Sequence, residues 1–206
     1  MLMALMLGLL TVPGGKNSSL AKENGYVINL DRAEKLEKMT YSSLFSKAGI
    51  IVLEDTDESL LGKVDKLEVC DNNLYVLEKG RGLFLFNKQG KFIKMIGRKG
   101  KGPGEYIDPN DISIDRENKK IYVLDSQTQN VLKYSSNGTF ESSFKLENKG
   151  TRSTFIQPFK NALYTNLYTF DESGKRFLLS KVDVTNGKRI SFQFEASQYN
   201  KGWNEL

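Results

Sequence analysis

Histidine is absent from the sequence, and cysteine occurs only once. Without histidine the chain cannot form a Ser-His-Asp or Cys-His catalytic arrangement, the zinc-binding His-Glu-x-x-His helix or an imidazole proton shuttle. The single cysteine, Cys70, cannot form an internal disulfide or build a thiolate metal site alone, and its strand-like surroundings predict a buried thiol. These absences exclude much of the chemistry of hydrolases and zinc enzymes.

Extreme composition is also absent. Of the 206 residues, 39% are hydrophobic and 27% are charged, which is typical of a globular domain. The formal net charge is +5 and the isoelectric point is about 9.1, but the basic residues are scattered rather than gathered into one run. Nucleic-acid-binding arms usually carry such a run, so we do not expect nucleic acid to be the partner.

No lysine or arginine precedes the apolar run of residues 1–12, which ends in Pro13-Gly14-Gly15. This run has the length of a signal-peptide hydrophobic region and is too short to span a bilayer. We interpret residues 1–15 as a signal-like segment and residues 16–25 as a polar linker. The expected protein is exported, either periplasmic or at the cell surface or extracellular, with no other transmembrane span. The alternative is a buried terminal segment.

Short elements are predicted between the linker and the rest of the chain. Residues 26–30 are typical of a strand, and residues 41–46 have the apolar spacing of a short helix. The β-branched run at residues 50–53 predicts a buried strand, and the acidic residues 54–58 after it predict a solvated turn. The spacing of these acidic residues does not match an EF-hand calcium loop.

From residue 62 onward the sequence repeats itself. Residues 74–77 align with residues 121–124, and residues 86–92 align with residues 134–140, at an offset of about 47 to 48 residues. Each unit predicts four short strands whose alternation buries one face and leaves the other in water. The predicted strands are residues 64–69, 74–78, 83–86 and 92–96, then 112–114, 121–125, 131–134 and 140–144, with a looser third copy at 162–164, 177–182 and 190–194.

Four strands in every 40 to 50 residues, roughly, is the period of a β-propeller blade. We therefore predict an all-β fold in which residues 26–206 form a partial β-propeller, with about three to four blades of four antiparallel strands. The repeats span approximately residues 62–109, 110–153 and 154–200. An ordinary β-sandwich of unrelated hairpins is the alternative.

A glycine-rich loop at residues 97–106 joins the first two repeats. Its spacing matches neither a Walker loop nor a dinucleotide-binding fingerprint, so we interpret it as a structural turn through which no helix or strand runs. The turn residues are Gly97, Gly100, Gly102, Pro103 and Gly104. The candidates for contact with a partner are Arg98, Lys99, Lys101, Glu105 and Tyr106.

Residues 97–106, 112–115, 121–125, 131–134 and 137–140 together resemble an NHL-type propeller repeat. With residues 53–56, 59–64 and 91–92 added, the sequence is similar to the exported six-bladed β-propeller proteins common in Bacteroidetes. The resemblance implies a propeller fold and export, and that family has no generally assigned activity. Six blades need more chain than follows residue 62, so we expect a fragment in which the face of the first or the last blade exposes apolar side chains.

Related propeller enzymes, such as lactonases, hold a cation with aspartate, asparagine and glutamate at the channel mouth. The oxygen-rich group Asp108, Asn110 and Asp111 matches that kind of donor set. We rank first an exported, non-enzymatic module that binds a protein, peptide or glycan and needs no cofactor. The alternative is a lactonase-like or lyase-like enzyme that uses a carboxylate-held divalent cation such as calcium.

Overall fold

The computed structural model describes residues 4–8, 40–147, 152–166, 169–170 and 173–195. Contacts divide the chain into two compact units, Met1–Val52 and Leu53–Leu206. The second unit begins at Leu53 and contains the blades described below. The predicted linker at residues 16–25 and the predicted strand at residues 26–30 lie outside the described residues.

In the first unit, strand β1 (Ala4–Gly8) pairs antiparallel with strand β2 (Ala48–Val52), and helix α1 (Tyr41–Leu44) precedes β2. The short helix was predicted two residues longer. The prediction of a buried strand at residues 50–53 is wrong over β2, because Ile50 is 71% exposed and Val52 is 51% exposed. β-Branched residues favour an extended backbone, but burial needs a second layer against the strand.

The second unit begins with two four-stranded antiparallel sheets joined by the glycine loop. Blade 1 contains β3 (Lys66–Cys70), β4 (Asn73–Glu78), β5 (Gly82–Asn87) and β6 (Phe92–Ile96). The loop contains the two-residue strands β7 (Arg98–Lys99) and β8 (Glu105–Tyr106). Blade 2 contains β9 (Pro109–Asp115), β10 (Lys120–Asp125), β11 (Asn130–Ser135) and β12 (Phe140–Lys145). In both blades the strands lie side by side in chain order.

Blade 3 contains β13 (Ile156–Phe159), β14 (Ala162–Thr165), β15 (Thr169–Phe170), β16 (Arg176–Asp183) and β17 (Arg189–Glu195). The eight-residue β16 pairs with both β14 and β15 and also with β17, so β13, β14, β16 and β17 repeat the four-strand meander. The predicted all-β fold built from four-stranded propeller blades is confirmed. Strand β13 was not predicted, since it contains Pro158, a residue confined to sheet edges, where β13 lies.

The central strands β4 and β10 are buried on both faces. All residues from Leu74 to Glu78 and from Ile121 to Asp125 are buried. One apolar cluster contains Tyr75, Leu77, Ile112 and Ile121, from blades 1 and 2. A second contains Leu124, Val131, Leu163 and Val182, from blades 2 and 3. The prediction that each strand buries one face and exposes the other to water is therefore wrong for β4 and β10, because their sheets are covered on both faces.

The outward face of blade 1 is also buried over β4 and β5, so the expected exposure of apolar side chains is wrong for these two strands, whereas Ile93 and Met95 on the edge strand β6 are exposed. Val76, Phe84 and Phe86 have no exposed surface. Residues 53–62 lie along this blade: the Glu54 N–H donates to the Gly90 carbonyl at 2.8 Å, and the Phe92 N–H donates to the Glu54 carboxylate at 2.8 Å. Residues 54–58 are exposed, as predicted for a solvated turn.

Among the first strands of the three blades, β9 contacts both β3 and β13. Asp111 on β9 joins all three: Oδ1 accepts from Lys66 Nζ on β3 at 2.8 Å, and Oδ2 accepts from the Ile156 N–H on β13 at 2.8 Å. The last strand of each blade, β6, β12 or β17, forms the opposite edge of its sheet. The glycine loop runs from the outer edge of blade 1 back to the inner strand of blade 2.

Candidate functional site

The glycine loop is held as a tight turn whose two ends pair with each other. Arg98 and Lys99 pair in parallel with Glu105 and Tyr106, so strand pairing does enter the segment that was predicted to have none. Gly104 has a φ of +73°, and a Cβ there would lie 2.9 Å from Cβ and Cγ of Phe140. Only glycine fits this position without strain.

The carboxylate of Glu105 occupies the centre of the loop. Its Oε2 accepts from the Gly102 N–H at 2.8 Å, and its Oε1 accepts from Arg98 Nε at 2.6 Å. The Gly102 N–H and then the Arg98 guanidinium lower the pKa of Glu105 below its usual value. A carboxylate of the chain itself therefore takes the backbone N–H group that an external anion would need, which argues against a phosphate cradle.

Tyr106 belongs to the core and not to the surface of the loop. Its side chain is fully buried, and its hydroxyl bridges the Leu83 N–H and the Ile96 carbonyl of blade 1. From blade 2, the Tyr134 hydroxyl donates to the Gly104 carbonyl at 3.0 Å. The two phenols hold the loop between the blades, whereas the side chains of Arg98, Lys99 and Lys101 are exposed.

A cleft of about 720 Å³ lies between the loop and the outer half of blade 2, and we call it the loop cleft. Residues 100–105 form one wall. The side chains on the other walls are hydroxyls, an amide, apolar groups and one carboxylate, from Ile107, Asp125, Thr128, Asn130, Leu132, Phe140, Ser142 and Ser143. The volume lies in the range of small-molecule and peptide sites.

Both carboxylates of the loop cleft are engaged in holding the backbone. Glu105 is bonded within the loop as described, and Asp125 is buried, with Oδ2 accepting from the Ile107 N–H at 2.7 Å and Oδ1 from the Gln127 N–H at 2.9 Å. Each of the two carboxylates thus accepts hydrogen bonds through both of its oxygens. The cleft therefore presents mostly neutral polar groups and the ring of Phe140.

The cation-binding alternative rests on three residues whose side chains have different partners. Asp108 accepts from the Ser126 hydroxyl, Asn110 Nδ2 donates to the Thr154 carbonyl at 3.0 Å, and Asp111 is bonded to Lys66 and Ile156. Among the described residues, no three carboxylate or thiol groups come close enough together to hold a metal ion. These residues do not fit a cation site as the structure arranges them, and we derive no catalytic step from them.

Sequence reasoning identified the loop wall of the cleft but not the opposite wall. Thr128, Asn130, Ser142 and Ser143 lie on or beside β11 and β12, where polar residues are ordinary on an outer strand. Their only sequence signal is that residues 141–143 interrupt the apolar pattern of β12. In the part of the chain that the structure describes, no helix is long and apolar enough to cross a membrane.

The blades and their connecting loop place this chain in the β-propeller class. Over residues 25–205 the sequence matches the family described as "Domain of unknown function (DUF4934)", and the chain belongs to that family. No curated protein matches the sequence.

Solved structures share this fold. A predicted exported protein of Bacteroides fragilis is 25% identical, with a TM-score of 0.61 over 70% of this chain and 41% of that one. A chain from a nidogen/laminin complex is 15% identical, with a TM-score of 0.51 over 73% of this chain and 53% of that one. The chain thus spans between two fifths and about half of the length of these structures.

Proposed function

We propose that this chain is a non-enzymatic binding module that takes a protein, peptide or glycan segment into the loop cleft. The observation that carries the proposal is the state of the two carboxylates in the cleft, Glu105 and Asp125. Both accept hydrogen bonds from backbone N–H groups, Glu105 within the loop and Asp125 from Ile107 just after it, so we assign them a structural role and assign ligand contact to the other groups of the cleft.

The exposed chemistry of the cleft suits an extended polar ligand. Ser142 and Ser143 offer hydroxyl groups that both donate and accept, and Asn130 offers an amide. Phe140 is half-buried, with its ring against Tyr134 at a centroid distance of 5.7 Å, so its orientation is fixed before a ligand arrives. A wall fixed in advance lowers the entropy cost of binding.

The proposal also includes export of the protein and the number of blades in the complete propeller. The apolar run at residues 1–12 and the similarity to a predicted exported protein support export to the periplasm, cell surface or medium. We further propose, from the resemblance of the repeats to exported six-bladed propellers, that the blades are of the NHL type and belong to a six-bladed ring. The test of export is the intact mass of the protein recovered from the cell envelope. A chain that retains Met1 and fractionates with the cytosol would contradict it.

Binding is tested with the labelled full chain on peptide and glycan arrays, followed by titration of each hit. Ser143→Arg fills the cleft and should weaken every true ligand about tenfold or more. The matched control Glu117→Arg changes an exposed turn on blade 2, at a residue that does not line the cleft, and should leave binding unchanged. Hits that bind Ser143→Arg as tightly as the parent chain would refute this site.

The enzymatic alternative has its own test. Calcium titration calorimetry and a panel of esters and lactones should show neither tight binding nor turnover. Turnover that depends on calcium, and that Asp111→Asn abolishes, would replace the binding proposal with the cation-dependent enzyme.

A further inference from the structure

One stretch of the sequence is strongly cationic although it contains no long basic run. Between Glu78 and Glu105 there are eight lysine and arginine residues and no aspartate or glutamate. Most of these basic residues are separated by apolar, glycine or amide residues, and no more than two of them are adjacent. The net charge of the whole chain is only +5, so this stretch carries more positive charge than the protein as a whole.

The structure places this stretch on the outer half of blade 1, in β5, β6 and the glycine loop. Its two arginines are paired, Arg81 with Glu78 and Arg98 with Glu105. The exposed lysines that follow the outer strand are Lys91, Lys94, Lys99 and Lys101. Within the described residues, none of these four lysines forms a salt bridge. Their charge is therefore available to a partner.

The strand that carries these lysines is a sheet edge that is open after Phe92, whose N–H donates to the Glu54 carboxylate. β6 is the last strand of blade 1, so every second residue directs its backbone N–H and C=O away from the sheet. Two apolar side chains are exposed on the same strand, Ile93 at 49% and Met95 at 37%. The edge thus combines backbone groups that can pair with a further strand, exposed apolar side chains and unpaired lysines. An extended acidic peptide with some apolar residues could bind to all three.

We propose that this surface, the β6 edge, docks an acidic, extended polypeptide segment that adds to blade 1 as a further strand. We define the β6 edge as Lys91, Ile93, Lys94, Met95, Lys99 and Lys101. Backbone pairing supplies affinity in such strand addition, and the alternating side chains supply selectivity. Glutamate or aspartate residues of the ligand meet the lysines, and its apolar residues meet Ile93 and Met95. The proposal goes beyond the loop cleft, which lies against blade 2.

A polypeptide fits this edge better than an anionic glycan does. A glycan matches the lysines, but it has no repeating amide groups to pair with the strand and no apolar side chains for Ile93 and Met95. Lysines on a sheet edge also repel a second copy of the same basic edge. The same charges thus disfavour the pairing of two such edges and favour an acidic strand.

The test uses fluorescence anisotropy of the full chain with a labelled peptide of alternating glutamate and valine. We expect saturable binding that weakens with salt, since the lysines are exposed. The double variant Lys91→Glu/Lys94→Glu should weaken binding about tenfold or more, because two attractions become repulsions. The matched control Lys145→Glu/Lys188→Glu carries the same charge change on other blades and should bind like the parent, apart from a small effect of net charge.

Two further probes separate strand addition from simple charge attraction. A peptide of the same sequence with N-methylated amides cannot pair along its backbone and should lose binding. Ser143→Arg should leave binding of the acidic peptide unchanged, so that failure of the loop cleft and failure of the β6 edge are told apart. Equal binding of the methylated peptide, or of a sulfated polysaccharide in its place, would overturn the proposal. Equal binding by the Lys91→Glu/Lys94→Glu variant, shown by circular dichroism to be folded, would overturn it as well.

Discussion

The hydroxyl of Tyr106 donates to the carbonyl oxygen of Ile96 at 3.0 Å across the whole length of the glycine loop. Ile96 ends the strand that enters the loop, and Tyr106 ends the loop itself. The same hydroxyl accepts from the Leu83 N–H at 3.1 Å, and the absence of a side chain at Gly82 makes room for it, since a Cβ there would lie 2.6 Å from the phenolic oxygen. The buried Tyr106 hydroxyl therefore takes the place of a direct hydrogen bond between the Leu83 N–H and the Ile96 carbonyl. It also fixes the end of the glycine loop to blade 1.

Tyr106→Phe should lower the free energy of unfolding by about 1–3 kcal/mol, because the Leu83 N–H and the Ile96 carbonyl would be left buried without a partner. Urea unfolding followed by circular dichroism measures the change. The control Tyr41→Phe removes a hydroxyl from a side chain that is 77% exposed and should have no measurable effect. Equal stability of the Tyr106→Phe variant and the parent would show that water replaces the hydroxyl.

Gly104→Val should destabilise the second unit by about 1–3 kcal/mol, because the backbone has a positive φ and the new side chain meets Phe140. Gly102→Val should cost less, since a Cβ there would meet only the end of the flexible Glu105 side chain, at 3.1 Å. Thermal melts of both variants give the order. A Gly104→Val chain that melts with the parent but loses a ligand would indicate that the loop acts in recognition.

Asp111→Asn should destabilise the chain by about 1–3 kcal/mol, because it removes the charge that neutralises Lys66 and weakens the acceptor of the Ile156 N–H. Hydrogen exchange should then show faster opening of β13, which relies on that acceptor. Asp57→Asn, in an exposed turn, is the matched control. Unchanged exchange in β13 would mean that packing alone holds the third blade.

Stability should fall at alkaline pH through Tyr122. Burial, together with the carboxylates of Asp115 and Glu141, raises the pKa of Tyr122 from 10.0 to about 12. Between these two values the unfolded chain loses the phenolic proton and the folded chain keeps it, so the free energy of unfolding decreases as pH rises, by about 1–3 kcal/mol in total. Urea unfolding across this range should show a shallower decrease for Tyr122→Phe. Parallel curves for the two proteins would contradict the assignment.

The repeated hairpins could be read from the sequence because they depend on local chemistry. Residues 121–125 and 131–134 are rich in β-branched and aromatic residues, and Gly138, with a φ of +79°, marks the final turn of blade 2. The structure keeps every strand predicted in the first two blades, with bounds changed by a few residues. Strand β13 was missed because its pairing with β14 and its contact with β9 outweigh the unfavourable proline.

The candidate site was only half predictable. The glycines of the loop predict a turn. The neighbouring sequence does not show that Tyr106 points into blade 1, or that Ser142 and Ser143 lie across a cleft from the loop. Those relationships join residues that are tens of positions apart and depend on how two sheets stack. The basic residues of the β6 edge are visible in the sequence. That they lie on a sheet edge, where a further strand could pair, follows only from the position of β6 as the last strand of blade 1.

The sequence by itself determined the strands, their fourfold grouping and the glycine connection, since backbone propensity and turn geometry act over a few residues. Only the tertiary structure decided which faces are buried. Ile50 and Val76 are both β-branched residues in strands, yet Ile50 is 71% exposed and Val76 is fully buried. Burial is a property of what lies against a strand: the central strand β4, which contains Val76, is buried on both faces, whereas β2 is mostly exposed.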